Sequence, residues 1–177
     1  EIEKLSGELN AATGAESYIN EKIAYGYNYV DKDLDVTHDN DEQGSHGSHV
    51  SGIATANSYV YVNESYLNAL ESAKLQGVAP DAQLLSMKVF GKTGGAYDSD
   101  YMAAIEDAIV LGCDVANLSL GTAAPGNSRH ATPAYQEIME NLTKAGMVVT
   151  ISAGNSGSWV TYAENGGYLY ADDANMS

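Results

Sequence analysis

The sequence predicts an α/β fold, a parallel sheet with helices on both faces in three layers, and three observations carry that expectation. From Ala79 onward, three apolar runs at 83–90, 115–120 and 147–152 alternate with two segments of helical periodicity. The connections between them are short, as crossovers between parallel neighbours require. The runs are nearly continuous in apolar residues, the composition expected of strands covered on both faces.

Each element has its own signal. Residues 1–21 mix Glu, Asn, Gly, Ser and Ala without a clean period and read as an incoming connection. Residues 22–30 then alternate strictly, with Ile23, Tyr25, Tyr27 and Tyr29 on one strand face. Residues 31–44 are rich in acids, lack apolar periodicity and read as a solvated loop. The segment 58–76 carries Tyr59, Tyr61, Tyr66, Leu67 and Leu70 and reads as either a packed excursion or a recognition loop, their spacing favouring packing against a core. In the first periodic helix Asp98 or Ser99 supplies the cap. Tyr101, Met102, Ile105, Ala108 and Ile109 form its stripe, and Gly112 ends it. In the second, Thr132 caps, Pro133 takes the first helical position, Tyr135, Ile138, Met139, Leu142 and Ala145 form the stripe, and Gly146 stops it.

Composition bounds the function. The chain has 177 residues, enough for one domain or part of a larger one, and its 44% hydrophobic content supports a true core. Eight Lys and Arg against 24 Asp and Glu give a net charge of −16, a field that repels phosphate backbones, so nucleic acid is not an expected partner. The same field favours basic substrates or partners. No window approaches the roughly 18 apolar residues of a membrane span, and residues 1–5 lack the basic-then-apolar order of a signal peptide. A chain that opens on Glu1 without Met reads as processed or excised from something longer. Cys113 is the sole cysteine, so no internal disulfide forms, and it reads as core.

In open α/β sheets, ligands gather beyond the carboxyl ends of the strands, which directs attention to 91–96, 119–125 and 153–158. The loop at 91–95 follows a strand, but a phosphate-binding loop ending at Lys92-Thr93 needs glycine where Ser86 stands. Asp31, Asp33 and Asp35 match the first offsets of a calcium loop, but Val36 stands where that loop needs its glycine, so structural calcium is left open and no ligand set is assigned. His46 and His49 share a helix face, but a catalytic zinc needs a third protein ligand and no His-Glu-x-x-His run exists, so no metal ligand is assigned. The small residues around them, Gly47, Ser51, Gly52, Ala54 and Ala56, predict a tightly packed helix in which His49 is a packing residue.

The segment His46-Gly47-Ser48-His49-Val50-Ser51-Gly52 resembles the histidine motif His-Gly-Thr-His-Val-Ala-Gly of subtilisin-like serine proteases. Three more segments follow in that family's order: Gly77-Val78-Ala79-Pro80-Asp81-Ala82, Asn117-Leu118-Ser119-Leu120-Gly121, and Ser152-Ala153-Gly154-Asn155-Ser156-Gly157. The long loops most resemble the cell-envelope branch, the lactocepin and C5a-peptidase type. The resemblance implies a partial peptidase domain over 22–177. It also implies a location outside the cell or on a bacterial surface, and a polypeptide substrate.

It further implies that His46 is the general base and Asn155 the oxyanion-hole donor. Ser119, Leu120 and Gly121 would pair with extended substrate, and Ser152, Ala153 and Gly154 would form the opposite pocket wall. Neither the Gly-Thr-Ser-Met-Ala serine motif nor the Asp-Ser/Thr-Gly strand end is present in these residues. In the family the aspartate precedes this histidine and the serine follows this asparagine. The expected partner is therefore the remainder of a parent peptidase, and the chain alone is expected to be inactive. The competing expectations are a noncatalytic binding module and, more weakly, a metal hydrolase using His46 and His49.

Overall fold

The computed structural model describes residues 2–39, 41–120, 133–152, 160–161 and 168–169, apart from the side chains of 134–135, 160–161 and 168–169. They fall into two compact units, 1–107 and 108–177.

The first unit opens with α1 (Ile2–Leu5) and a short 3₁₀ turn at Ala15–Ser17, followed by β1 (Ile23–Asn28), α2 (His46–Thr55), β2 (Tyr59–Val62), β3 (Ser65–Asn68), α3 (Ala69–Ser72) and β4 (Leu84–Lys88). β1 and β4 pair in parallel, Tyr25 opposite Leu85 through Asn28 opposite Lys88, with one register shift between Ile23 and Tyr25. Tyr25, Tyr27 and Tyr29 are buried as their alternation predicts, and the rings of Tyr27 and Tyr29 meet edge to face at 5.1 Å. The intervening Asn28 is buried as well, so β1 is covered on both faces. Asn28 is satisfied there: its Oδ1 accepts from the backbone N–H groups of Val30 and Asp31, and its Nδ2 donates to Asp31.

A buried carboxyl group ties the N-terminal segment to this core. Asp107, wholly buried, accepts hydrogen bonds from the backbone N–H of Asn10 at 2.6 Å and of Ala11 at 2.9 Å, and from the Tyr29 hydroxyl at 2.8 Å. The Tyr25 and Tyr29 hydroxyls lie 3.1 Å apart. Burial pushes the Tyr25 hydroxyl up to about 12 and moves Tyr29 upward too, where its bond to Tyr25 and the nearby Asp107 act in the same direction.

α4 (Asp98–Val110) begins in the first unit and ends in the second, which continues with β5 (Val115–Leu118), α5 (Pro133–Ala145) and β6 (Val148–Ile151). β5 and β6 are parallel neighbours, Val115 opposite Val148 through Leu118 opposite Ile151, so β5–α5–β6 is a βαβ unit. β7 (Val160–Thr161) and β8 (Tyr168–Leu169) form a short antiparallel pair. Both stop glycines act as expected. Gly112 and Gly146 take positive φ of 75° and 73°, and the next residue's N–H bonds back into the last helical turn, Cys113 to Ala108 and Met147 to Leu142.

Three expectations need correction. Continuous apolar runs predict strands buried on both faces, yet β5 and β6 alternate exposed and half-buried positions, with Val115 and Val148 facing solvent. The tyrosines of 58–76 do not cover a core: β2 and β3 form an antiparallel hairpin on which Tyr59, Tyr61 and Tyr66 are exposed and Tyr61 packs on its cross-strand partner Tyr66 at 4.9 Å. The small-residue helix α2 buries none of its side chains, and a methyl group built on Gly47 or Gly52 would meet open space. Thr132, expected as the cap of α5, lies outside the described residues; α5 itself starts at Pro133 as predicted.

Candidate active site

His46 is the first residue of α2, with Ser45 in the N-cap position. It is exposed, and among the described residues its ring has no hydrogen-bond partner. His49 is exposed too, one turn along, rather than packed. The turn leading into the helix is closed by the Gly44 N–H bonding to Asp41 at 3.1 Å, and the first helical bond runs from His49 N–H to the Ser45 carbonyl at 3.0 Å. His38 Nδ1 and Ser48 Oγ lie 3.2 Å apart, tying the preceding loop to the second residue after His46.

The far end of α2 explains a second motif. The N–H groups of Gly77, Val78 and Ala79 donate to the carbonyls of Ala56, Ile53 and Ala54 at 2.8–3.0 Å, satisfying acceptors that a helix C-terminus leaves open. The chain at Gly77 passes so close that a Cβ there would lie 2.3 Å from the Ala56 nitrogen and 2.6 Å from the Thr55 carbonyl carbon. Only glycine fits, and the histidine helix and the Gly77-Val78-Ala79 segment form one local assembly.

In the second unit the parallel register brings together residues 32 to 34 positions apart. Ser152 N–H donates to the Leu118 carbonyl at 3.2 Å and its hydroxyl donates to the Leu120 carbonyl at 2.9 Å. Ser119 Oγ accepts from Asn117 Nδ2 at 2.9 Å, and Thr150 Oγ1 donates to Asn117 Oδ1 at 2.8 Å. Ser119, Leu120 and Ser152, expected on facing walls, therefore stand at the carboxyl ends of adjacent strands. Gly121, Ala153, Gly154 and Asn155 lie outside the described residues, as do most of the loops expected at 119–125 and 153–158.

The acidic loop uses its carboxylates locally. Asp31 accepts from Asn28 Nδ2 and from the Lys92 N–H, Asp33 from the Asp35 N–H, and Asp35 from both the N–H and the hydroxyl of Thr37. Hydrogen bonds from Asn28 and from Thr37 hold Asp31 and Asp35 below the usual carboxylate range, with the Lys88 and Lys92 charges acting in the same direction. Among the described residues no three His, Cys, Asp or Glu side chains converge on a point that would hold a metal ion. Burial, followed by the Asp114 charge, raises the Cys113 thiol.

The two motif-bearing assemblies, the histidine helix with its glycine cap and the paired strand ends, agree with a match of the Subtilase family model over residues 7–177. The chain belongs to the Subtilase family. Among curated subtilase relatives, the PI-type proteinase of Lactococcus lactis subsp. cremoris is 40% identical over 146 residues, 80% of this chain and 7% of that protein. The PII-type proteinase of Lacticaseibacillus paracasei is 39% identical over 148 residues, 80% of this chain and 7% of its own length. The C5a peptidase of Streptococcus pyogenes serotype M6 is 35% identical over 167 residues, 90% of this chain and 12% of that protein. The chain thus spans a small fraction of the subtilases it matches. Within this subtilase segment, sequence reading gave no role to Asn117, Thr150, Asp41, Lys88 or Asp107. Asn117 sat inside a quoted motif, but the contacts of the others join positions far apart in the chain and leave no local signature.

Proposed function

We propose that this chain is the histidine and oxyanion portion of a longer serine endopeptidase that hydrolyses peptide bonds outside the cell or on a bacterial surface. His46 takes the proton of a serine hydroxyl supplied elsewhere in the polypeptide and returns it to the leaving amine, the two-way role of a general base. Asn155 donates to the oxygen that becomes negative in the tetrahedral intermediate. Ser119-Leu120-Gly121 and Ser152-Ala153-Gly154 flank an extended polypeptide and bind it through backbone groups, which demands little of its sequence.

The observation that carries this reading is the family match across nearly the whole chain, joined to relatives whose names are proteinase and peptidase. The exposed His46, whose ring has no hydrogen-bond partner among the described residues, and the convergence of Ser119, Leu120 and Ser152 support it. The 177 residues alone, carrying neither the triad serine motif nor the acid, turn over no peptide.

The test is a fluorophosphonate probe applied side by side to the full-length polypeptide and to this chain, with the labelled peptide mapped by mass spectrometry. Labelling of the full-length protein alone, at a serine beyond Ser177 and lost in His46→Ala, is the expected result. Absence of labelling in a folded full-length protein would replace this reading with a noncatalytic peptide-binding module.

A further inference from the structure

Lys88 is the last residue of β4, and its ammonium reaches out of the strand to hold two points of the loop that leads into α2. It donates to the Thr37 carbonyl at 2.8 Å and forms an ion pair with Asp41. The pair is secluded, with the Asp41 side chain 4% and the Lys88 side chain 12% exposed. Thr37 and Asp41 are thus fastened to one cation, and the Asp41 N–H bonds to the His38 carbonyl at 3.2 Å. Further bonds brace the same stretch against the loop after β4: Glu42 N–H to the Lys92 carbonyl at 3.0 Å, and Gln43 Nε2 to the Gly94 carbonyl at 2.9 Å.

From this clamp the chain reaches His46 by two routes. Along the backbone, the turn from Asp41 to Gly44 sets the start of α2. Through side chains, His38, held between Thr37 and Asp41, meets Ser48 on the helix. A helix has two loose freedoms at its start, the direction of its axis and rotation about it, and these two contacts address one each.

The pair is poorly built for stability. Asp41 Oδ1 is buried and has no hydrogen-bond partner among the described residues. Burying two charges is costly and is offset only when the remaining lone pairs are satisfied. A buried pair that is left half satisfied asks for a role other than stabilisation.

We propose that Lys88 and Asp41 are positioning residues that orient α2, and through it the imidazole of His46, for proton transfer. This inference rests on His46 being the general base. Proton transfer needs hydrogen-bond reach, and small misplacements of a catalytic group cost rate rather than substrate affinity.

The experiment uses the full-length polypeptide, measuring steady-state peptide hydrolysis, the rate of fluorophosphonate labelling and the thermal midpoint. Lys88→Arg keeps the charge and is expected to retain kcat within a few-fold. The double variant Lys88→Met with Asp41→Leu replaces the pair by apolar side chains and is expected to fold with an undiminished midpoint. Its kcat and labelling rate should fall about 10- to 100-fold with KM unchanged within twofold. A double variant that keeps both the parent kcat and the parent labelling rate overturns the proposal, as does an equal loss in Lys88→Arg. Should the double variant not fold, Asp41→Asn decides: a several-fold lower kcat at constant KM supports the clamp, and an unchanged kcat overturns it. An unsubstituted protein that takes no label removes the peptidase reading and this inference with it. Failure of the clamp alone shows instead as parent and variants labelling at one rate.

Discussion

At the scale of single residues, a side chain's role follows from how near other atoms come. Gly77 is the clearest instance, since its Cα sits where any Cβ would collide with the backbone of Thr55 and Ala56. Backbone cannot step aside as the end of a flexible side chain can. Gly77→Ala is therefore expected to destabilise the chain by about 2 kcal/mol, the ordinary cost of overpacking a close contact, read as a lower denaturant midpoint at unchanged slope. Sequence reading recognised Gly77 as part of a motif. The reason for glycine at that position became visible only when the end of α2 was found against it. His46 was singled out by its motif alone, because the small residues after it carry a recognisable pattern. Asp41 and Lys88 carried none, since their contact joins positions 47 apart in the chain.

At the scale of elements, periodicity predicted the helices well and the environment of the strands less well. α4 and α5 begin and end within a residue or two of the expected positions, and their stop glycines behave as expected because helix termination is local chemistry. The β2–β3 hairpin shows the reverse. Its tyrosine spacing suits a packed element, but alternation specifies which residues share a face and says nothing of whether that face is covered. The turn between the strands places Asn63 and Glu64 at φ of 50° and 61°, both left-handed, as a tight two-residue hairpin loop requires. Asn accepts that conformation readily and Glu does not. Glu64→Gly is expected to stabilise the hairpin by about 1 kcal/mol, which hydrogen exchange would register as roughly fivefold slower exchange of the amides paired across β2 and β3.

At the scale of the whole chain, the first unit is closed by a contact between residues nearly one hundred positions apart, the Asp107 carboxyl with the Asn10 and Ala11 amides. Asp107→Ala would leave the buried Ala11 N–H without an acceptor and take one from the Tyr29 hydroxyl. The expected cost is about 3 kcal/mol, and limited proteolysis should cut within residues 2–21 faster while the rest of the unit persists. Composition and motif had described those residues only as a connection, because an acid near the apolar stripe of a helix looks like a solvent-facing residue until its partners are known.

By itself, the sequence determined the fold class, the order of the later strands and helices, and membership in the Subtilase family, since each rests on patterns within a few turns of chain or on ordered motifs. Tertiary structure alone decided three further matters: that β1 pairs with β4, that residues 77–79 cap the histidine helix, and that one ammonium holds the loop before His46. Each depends on a contact made across a long stretch of chain, and such contacts are selected by shape and satisfied polar groups in three dimensions, for which local patterns carry no code.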